Sequence, residues 1–215
     1  MKKEMLYSIL ERGALYSILP LRIQDCLDSE AGATMFSTLD LTAGYHQVRV
    51  KAEDIPKTAF VTKYGHSEYK TMPFGLTNAP GTFHRVMEMA LNGLRWDICL
   101  IYLDDIVILS RTFEEHISRL SQVVQRIEEA GLKLKPEKCN LFQDEVVFLG
   151  HRVTKEGVLP DKQNVEKILN WARPNNVTEV RQFLGTASYY RRFIKGFSAI
   201  AKPLTELTQR NHSFH

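Results

Sequence analysis

Two adjacent carboxylates, Asp104 and Asp105, interrupt the most apolar stretch of the chain, "LIYLDDIVILSR". Ionised carboxylates are costly to bury, so a folded protein must pair them, neutralise them or bind a cation to them. The apolar runs on either side, "CLIYL" and "IVILS", are typical of two strands joined by a tight turn. The stretch therefore predicts a hairpin that carries two acids at its tip.

The composition is that of an ordinary globular protein, because 44% of its 215 residues are hydrophobic and 25% are charged. The charge is unevenly spread: from Asp161 onward nine Lys and Arg stand against four acids, whereas the first 160 residues carry 19 bases and 21 acids. A basic segment beside an acid-bearing body suits a phosphate backbone. A well-solvated helical tail explains the charge equally well.

The cysteine pattern indicates an intracellular protein. Cys26, Cys99 and Cys139 have no CxxC spacing, which argues against a structural zinc site or a disulfide framework and predicts reduced thiols. No apolar run is long enough to span a bilayer, and charges interrupt the N-terminal apolar stretch, so it is a poor secretory signal. We expect a cytoplasmic or nuclear protein that is not secreted and has no membrane partner.

The hydrophobic periodicity predicts an α+β body followed by a helical segment. Thr112 and Glu115 match a capping box, and Gly131 supplies the stop of that helix, whose apolar face we predict at Phe113, Ile117, Leu120, Val124 and Ile127. Residues 145–160 predict a hairpin. The remaining predicted elements are strands at 35–41, 46–51 and 57–62, helices at 20–30 and 77–94, and helices opened by Asp161, by Asn176 or Thr178, and near 199–209.

A third acid, Asp40, ends the predicted strand 35–41, so the fold alone can bring it to Asp104 and Asp105. Magnesium prefers oxygen ligands, and two such ions held by strand carboxylates can catalyse phosphoryl transfer in a polymerase or nuclease. The alternative is that the acids are separate, with the Asp pair in an ordinary turn and Asp40 capping another. Residue type and spacing alone favour this alternative.

Three segments, "FSTLDLTAGYHQVRV", "TAFVTKYGHSEYKTMPFGLTNAPGTFHRVM" and "IYLDDIVILS", closely resemble the palm motifs of reverse transcriptases from gypsy-class LTR retrotransposons and retroviruses. The resemblance continues to about residue 208. It implies a polymerase right-hand palm, an antiparallel sheet packed on helices, over residues 20–156. It also implies an all-α thumb-like or connection-like segment over 157–215, after a non-matching segment 1–19.

The resemblance assigns the acids to the chemistry. Asp40, Asp104 and Asp105 would be catalytic and would bind two Mg²⁺ ions, with Mn²⁺ as the substitute, and the Leu41 carbonyl would face a metal. The reaction implied is RNA-directed DNA polymerisation, in which a primer 3′-hydroxyl attacks a deoxynucleoside triphosphate on an RNA or DNA template.

The resemblance also assigns substrate contacts. Tyr45 would lie under the sugar of the incoming deoxynucleotide, and Phe74 and Gly75 would pack against the nucleotide and the templating base. From the residues alone, Tyr45 and Phe74 are equally well explained as core side chains, and Gly75 as an ordinary loop glycine.

Nucleic-acid contacts are implied for a larger set of residues. These are Tyr102 beside the acids, Leu149, Gly150 and His151 in a hairpin that grips the primer end, and the thumb-like basic residues Arg181, Arg191, Arg192 and Lys195. A plain surface hairpin and solvated helix faces are the alternative explanations for these residues.

The sequence departs from the family at its start, because the β-rich fingers region is largely missing upstream of "PLRIQDCLD". We therefore expect an N-terminally truncated part of a Pol polyprotein, with other Pol parts as partners. Two hypotheses stay open: a polymerase whose activity the truncation has either spared or removed, and a non-catalytic nucleic-acid-binding remnant of a retrotransposon.

Overall fold

The computed structural model describes residues 32–95 and 97–209, which form two compact units. The first unit contains the described residues up to Val146 together with Thr154–Gly157, and the second contains Val147–Val153 and the described residues from Val158 onward. The predicted helix 20–30 and the segment 1–19 lie outside the described residues. The domain boundary drawn before residue 157 stays a prediction.

An antiparallel sheet of four strands, in the order β4-β5-β1-β6, is the centre of the first unit, and a separate hairpin pairs β2 with β3. The strands are β1 (Met35–Leu39), β2 (Phe60–Thr62), β3 (Gly65–Ser67), β4 (Cys99–Tyr102), β5 (Asp105–Ser110) and β6 (Asn140–Gln143). The mixture of helices and antiparallel sheet confirms the predicted α+β class. Strands β4 and β5 confirm the predicted hairpin around the two adjacent acids.

Two helices belong to the first unit, α1 (Ala79–Ala90) and α2 (Phe113–Glu129). The Thr112 hydroxyl accepts a hydrogen bond from the Glu115 N–H at 3.2 Å, and the Glu115 carboxylate accepts one from the Arg111 N–H at 2.8 Å. The start predicted for α2 is thereby confirmed. Gly131 follows the helix at a φ of 74°, a left-handed conformation that favours glycine.

The core of the first unit lies between these helices and one face of the sheet. Its fully buried side chains come from both kinds of element: Phe83 and Met87 from α1, Ile101, Ile106 and Ile108 from the sheet, and Val123 and Ile127 from α2. Each such side chain contributes about 1.5–3 kcal/mol of burial free energy. The packing sets which face of the sheet is left for the acids.

The predicted strand 46–51 is wrong. Gly44–Gln47 form a 3-10 turn, and only Arg49 makes an isolated bridge, to Thr71. The cause is a close approach: a Cβ on Gly44 would lie 2.8 Å from Cζ of Phe83, so the backbone turns against that ring. The strand predicted at 57–62 starts later, at Phe60, because Ala52–Thr58 is 3-10 helical.

The buried face of α2 keeps Ile127 and the partly buried Leu120 of the predicted face but differs at the other predicted positions. His116, Val123 and Ile127 are buried, whereas Phe113 and Ile117 are 51% and 46% exposed. Of the predicted face, Val124 is also exposed. The helix is rotated because His116 finds buried hydrogen-bond partners, so an imidazole replaces an apolar side chain in the core.

The chain after β6 forms a three-stranded sheet in the order β7-β8-β9 and then three helices. The bounds are β7 (Glu145–Phe148), β8 (His151–Thr154), β9 (Gly157–Pro160), α3 (Lys162–Leu169), α4 (Val177–Tyr189) and α5 (Phe197–Glu206). The predicted hairpin therefore has a third strand. Asp161 caps α3 and Asn176, rather than Thr178, caps α4. Within the described ranges, no helix has the length and apolarity needed to cross a membrane.

Candidate active site

Strand register gathers the three acids at one end of the central sheet. β1 pairs with β5 as far as Leu39 opposite Ile106, so Asp40 and Asp105 come directly beyond the last pair, each beside one member of it. Leu39 and Ile106 are buried against the helices, so the two acids beside them lie on the other face of the sheet. Asp104 occupies the turn between β4 and β5. The fold thus brings together residues that are 64 positions apart.

The turn that carries Asp104 is strained. Tyr102 pairs with Asp105, which leaves Leu103 and Asp104 as a two-residue turn, and Leu103 has a φ of 56°. A positive φ at the first turn position alone is the pattern of a type II′ turn, where glycine is usual. A leucine in this conformation costs about 1–3 kcal/mol. The side chain of Asp104 is exposed at the tip.

The acids repel one another. Partial desolvation raises the pKa of the Asp105 carboxyl, and the negative charges of Asp104 and Asp40 raise it further, while Lys138 opposes them. A divalent cation would relieve this repulsion, and carboxylate oxygens are the donors that Mg²⁺ prefers, so the donor set fits the metal. Across residues 32–95 and 97–209, no group of three or more His, Cys, Asp or Glu side chains is arranged as a metal site.

Lys138 is a member of the site that the sequence analysis missed. Its Nζ lies 3.4 Å from Oδ2 of Asp40 and comes from the 3-10 turn Pro136–Lys138. The same segment is held to β1 by the Lys135 N–H, which donates to the Asp40 carbonyl at 2.9 Å. No local pattern predicts a contact between residues 98 positions apart.

Leu41 follows Asp40 and is buried, with an antiparallel bridge to Leu134. Gln47, which the sequence analysis did not single out, fixes this segment from the other side. Its Nε2 donates to the carbonyls of Thr42 at 2.6 Å and Lys133 at 3.0 Å, and its Oε1 accepts from the Lys133 N–H at 2.6 Å. Gln47 therefore ties the backbone beside Asp40 to the loop that leads to Lys138. The role of the Leu41 carbonyl stays a prediction.

Tyr45 lies close to the acids and within an aromatic group. Its ring centroid is 5.1 Å from that of Phe74 and 5.4 Å from that of Phe83. Desolvation raises the pKa of the Tyr45 hydroxyl, and the charge of Asp104 raises it further, so the phenol stays neutral beside the acids. Phe74 is 65% exposed, and Gly75 next to it has a φ of 91°. The structure brings Tyr45, Phe74 and Gly75 together.

A second predicted site lies in the second unit, at the turn between β7 and β8. Leu149 and Gly150 have φ of 51° and 71°, the pattern of a type I′ turn. The Tyr189 hydroxyl donates to the Leu149 carbonyl, and the Tyr190 hydroxyl donates to the Gly150 carbonyl at 3.1 Å. These two bonds hold the turn against α4.

His151 lies under this turn, 3% exposed, with its ring stacked on Tyr189 at 5.1 Å. Desolvation lowers the pKa of its imidazole, and the charge of Arg192 lowers it further, so His151 is neutral near pH 7. An uncharged, buried imidazole is better placed to support the turn than to touch a phosphate. Its predicted contact with nucleic acid stays a prediction.

The remaining predicted nucleic-acid residues are solvent-facing or half-buried. Tyr102 is half-buried opposite Asp105. The basic residues Arg181, Arg191, Arg192 and Lys195 are all exposed. Arg181 donates to the Thr208 carbonyl at 3.0 Å, and the Arg192 guanidinium lies 5.2 Å from the centre of the Phe193 ring.

Comparison with protein families gives a match over residues 3–153 to the model described as "Reverse transcriptase (RNA-dependent DNA polymerase)". The chain is 45% identical over 175 residues to the retrovirus-related Pol polyprotein from transposon 297 of Drosophila melanogaster, covering 81% of this chain and 16% of that protein. It is 36% identical over 193 residues to the transposon Tf2-3 polyprotein of Schizosaccharomyces pombe, covering 90% and 14%. The chain thus spans about a sixth of these relatives.

Comparison with solved structures also finds reverse transcriptases. The foamy viral protease-reverse transcriptase in complex with dsDNA matches with a TM-score of 0.80 and 26% identity, over 93% of this chain and 42% of that one. The same viral protein in complex with RNA/DNA hybrid matches with a TM-score of 0.75 and 28% identity, over 87% and 25%. The predicted right-hand polymerase fold is confirmed by this likeness.

Proposed function

The chain belongs to the reverse transcriptase family, and we propose that it is the RNA-directed DNA polymerase core of a retrotransposon Pol protein. The single observation that carries this is the clustering of the acids: Asp40 and Asp105 flank the last pair of β1 with β5, and the charges of Asp104 and Asp40 both act on the Asp105 carboxyl. Three clustered carboxylates at one end of a sheet are a suitable acceptor for divalent cations. The reaction class is nucleotidyl transfer.

Asp40, Asp104 and Asp105 would hold two Mg²⁺ ions, together with the Leu41 carbonyl, and Mn²⁺ would serve as a substitute. Such ions supply charge neutralisation to the triphosphate and lower the pKa of an attacking hydroxyl. Lys138 must leave Asp40 or share it when a cation binds, because its ammonium group lies at 3.4 Å from the same carboxylate. Gln47, through its bonds to Thr42 and Lys133, would hold the backbone that follows Asp40 in place during this exchange.

The overall change forms a bond between the primer 3′-oxygen and the α-phosphorus of a deoxynucleoside triphosphate, breaks the bond to pyrophosphate and releases the hydroxyl proton to water. Tyr45 lies next to Asp104 and would place its ring under the sugar, where a ribose 2′-hydroxyl would collide with it. Phe74 and Gly75 would pack against the nucleotide base, which the 65% exposure of Phe74 allows. The neutral phenol of Tyr45 adds no charge to the site.

Template and primer are the proposed ligands of Tyr102 in the first unit and, separately, of predicted residues in the second unit. The foamy viral relative was solved with dsDNA and with RNA/DNA hybrid, and we infer the same ligand class for this chain. Arg181, Arg191, Arg192 and Lys195 would contact the phosphate backbone, which gives affinity that falls with salt and ignores base sequence. Leu149 and Gly150 would touch the primer end, with His151 supporting their turn. Other parts of a Pol polyprotein are the expected partners, inside the cell.

A second candidate is a non-catalytic protein that holds the duplex without extending it. The ion pair between Lys138 and Asp40 favours this candidate, because an internal ammonium group already neutralises one of the acids. In this case the basic residues of the second unit would account for all of the binding.

Primer extension on an RNA template, with magnesium and deoxynucleotides, distinguishes the two candidates. A polymerase extends the primer, and its Asp104→Asn variant binds the duplex but does not extend it. The matched control is Asp144→Asn, an exposed acid outside the cluster, which should extend like the wild type. Duplex binding with a steep salt dependence and no extension by the wild type would instead establish the second candidate.

A further inference from the structure

Three buried polar side chains, Ser37, His116 and Ser110, form a group that we call the serine–histidine relay. Their exposed fractions are 0%, 0% and 2%. The Ser37 Oγ lies 2.6 Å from Nε2 of His116, and the Ser110 Oγ lies 2.7 Å from Nδ1 of the same ring. The relay thus joins β1, β5 and α2 through one imidazole.

The relay lies on the helix-packed face of the sheet. Ser37 lies two residues before Leu39 on β1, so the two side chains share a face of the sheet, and Leu39 belongs to the core under the helices. Asp40 and Asp105 occupy the opposite face. The relay is therefore outside the proposed reaction site and acts on it only through the strands.

Counting hydrogens fixes the direction of every bond in the relay. The Ser110 hydroxyl donates its single hydrogen to the Thr112 carbonyl at 3.1 Å, so Nδ1 of His116 must be the donor to Ser110. At the other end the Phe142 N–H donates to the Ser37 Oγ at 3.0 Å. The Ser37 hydroxyl is then free to donate to Nε2, which accepts in a neutral ring. Each group has a partner only in this arrangement.

The surroundings keep the ring neutral. Desolvation lowers the pKa of the His116 imidazole and the charge of Arg119 lowers it further, while Glu115 opposes them. Arg119 and Glu115 form an ion pair at 2.7 Å on α2, which cancels much of their separate effects. The Phe142 ring covers the imidazole at 5.3 Å.

The relay also holds an irregularity of the sheet. Phe36 pairs with Gln143 and Thr38 with Asn140, so two residues of β6 lie opposite Ser37 alone. This is a β-bulge, and Phe142 within it has a φ of 54°. The Phe142 N–H, displaced from the backbone ladder, finds its acceptor in the Ser37 hydroxyl. Strand β6 begins two residues after Lys138, the residue whose ammonium group lies against Asp40.

We propose that His116 is a positioning residue for the acidic site: as the Nδ1–H tautomer it sets the β6 bulge against β1 and thereby the backbone that carries Asp40 and Lys138. The chain of bonds runs one way, from the Phe142 N–H through Ser37, His116 and Ser110 to the Thr112 carbonyl. A protonated ring or the other tautomer would leave a buried hydroxyl hydrogen or an imidazole N–H without a partner, which is costly.

The tautomer is measured by long-range ¹H–¹⁵N correlation of ¹⁵N-histidine-labelled protein at pH 7.5. The His116 resonances are those missing in His116→Gln, and the exposed His66→Gln serves as the assignment control. The expected result is a pyrrole-type shift at Nδ1 and a pyridine-type shift at Nε2. An Nε2–H tautomer, or averaged shifts that indicate two tautomers in exchange, would overturn the proposal.

Two further readouts test positioning as opposed to general stability. In Ser37→Ala the Phe142 amide should exchange with solvent at least about fivefold faster, since one buried hydrogen bond is lost. The maximal rate of nucleotide incorporation should fall while the dissociation constant of the duplex stays unchanged. Ser118→Ala, an exposed serine of α2, should change neither. Wild-type amide exchange or a wild-type incorporation rate in Ser37→Ala would overturn the proposal.

The activity readout rests on the proposed function, whereas the tautomer and amide-exchange readouts do not. A wild-type protein that never extends a primer but shows the Nδ1–H tautomer and the protected amide would contradict the proposed function and leave the relay intact. An active wild type with the wrong tautomer would sink the relay alone.

Discussion

Lys138 lies with its Nζ 3.4 Å from Oδ2 of Asp40, so an ammonium group sits against one of the three clustered acids. Two sets of hydrogen bonds hold the segment before Lys138 next to Asp40. The Lys135 N–H donates to the Asp40 carbonyl, and the Gln47 side chain binds the backbone of Lys133. The pair is part of the same electrostatic group as Asp105, whose pKa Lys138 lowers against the effect of the other acids.

Lys138→Gln should therefore raise the pKa of the Asp105 carboxyl, because the attractive charge of Lys138 is removed while Asp104 and Asp40 remain. Lys138 is more than half exposed, so the free energy of unfolding should change by less than about 1 kcal/mol. Carboxyl ¹³C shifts followed against pH measure the pKa. Lys155→Gln, which removes an exposed lysine near Glu156, is the control and should leave Asp105 unchanged. An unchanged Asp105 titration in Lys138→Gln would show that the two residues do not interact.

Leu103→Gly should stabilise the protein. The positive φ of Leu103 costs a leucine about 1–3 kcal/mol, and a glycine avoids this cost but loses about 1 kcal/mol of backbone entropy. The net expectation is a gain of about 1 kcal/mol in chemical denaturation. Val61→Gly, in an exposed and extended strand position, should instead lose about 1 kcal/mol. Equal losses in both variants would mean that the turn of Leu103 is not strained.

Gly44→Ala and Gly185→Ala form a matched pair with opposite signs. A Cβ on Gly44 would lie 2.8 Å from Cζ of Phe83, so overpacking should cost about 1–3 kcal/mol. Gly185 lies inside α4, where a Cβ meets nothing within 4 Å, so alanine should gain about 0.5–1 kcal/mol of helix stability. Thermal unfolding of the two variants measures both. A Gly44→Ala protein as stable as the wild type would contradict the close approach to Phe83.

Stability should fall as the pH drops below about 6.5, the ordinary pKa of histidine. Desolvation lowers the pKa of His84, His116 and His151 in the folded protein, so the unfolded chain binds more protons and is favoured in acid. Each group contributes at most about 1.4 kcal/mol per pH unit between 6.5 and its lowered pKa. Denaturation between pH 5 and 7.5 measures the slope, which His116→Gln should reduce and the exposed His66→Gln should not. An equal slope in His116→Gln would show that the folded protein leaves the His116 pKa unshifted.

The sequence was informative where neighbouring residues determine the structure. The capping pair Thr112 and Glu115 specifies the start of α2 within a few residues, and the apolar runs around Asp104 specify two strands. These features depend on local hydrogen bonds and on alternation. The order of the acids along the chain, together with the family resemblance, was enough to group them.

The sequence was uninformative where contacts between residues far apart in the chain determine the local structure. The bend at Gly44 depends on the ring of Phe83, and the rotation of α2 depends on serines in two strands that accept a buried His116. Lys138 and Gln47 reach partners 98 and 86 residues away, which no periodicity encodes. These long-range polar contacts are the part of the candidate site that the sequence could not predict.

The most direct measurement is the single-turnover rate of deoxynucleotide incorporation opposite an RNA template, compared between the wild type and Asp40→Asn at saturating duplex. The wild type should incorporate in the presence of Mg²⁺. Asp40→Asn should lose at least about 100-fold in rate while binding the duplex normally. The substitution removes a carboxylate that would hold the cations on the transferring phosphoryl group, and such charge stabilisation is worth that much. Asp144→Asn should match the wild type. An Asp40→Asn protein that incorporates at the wild-type rate would contradict the assignment of the acids to the reaction.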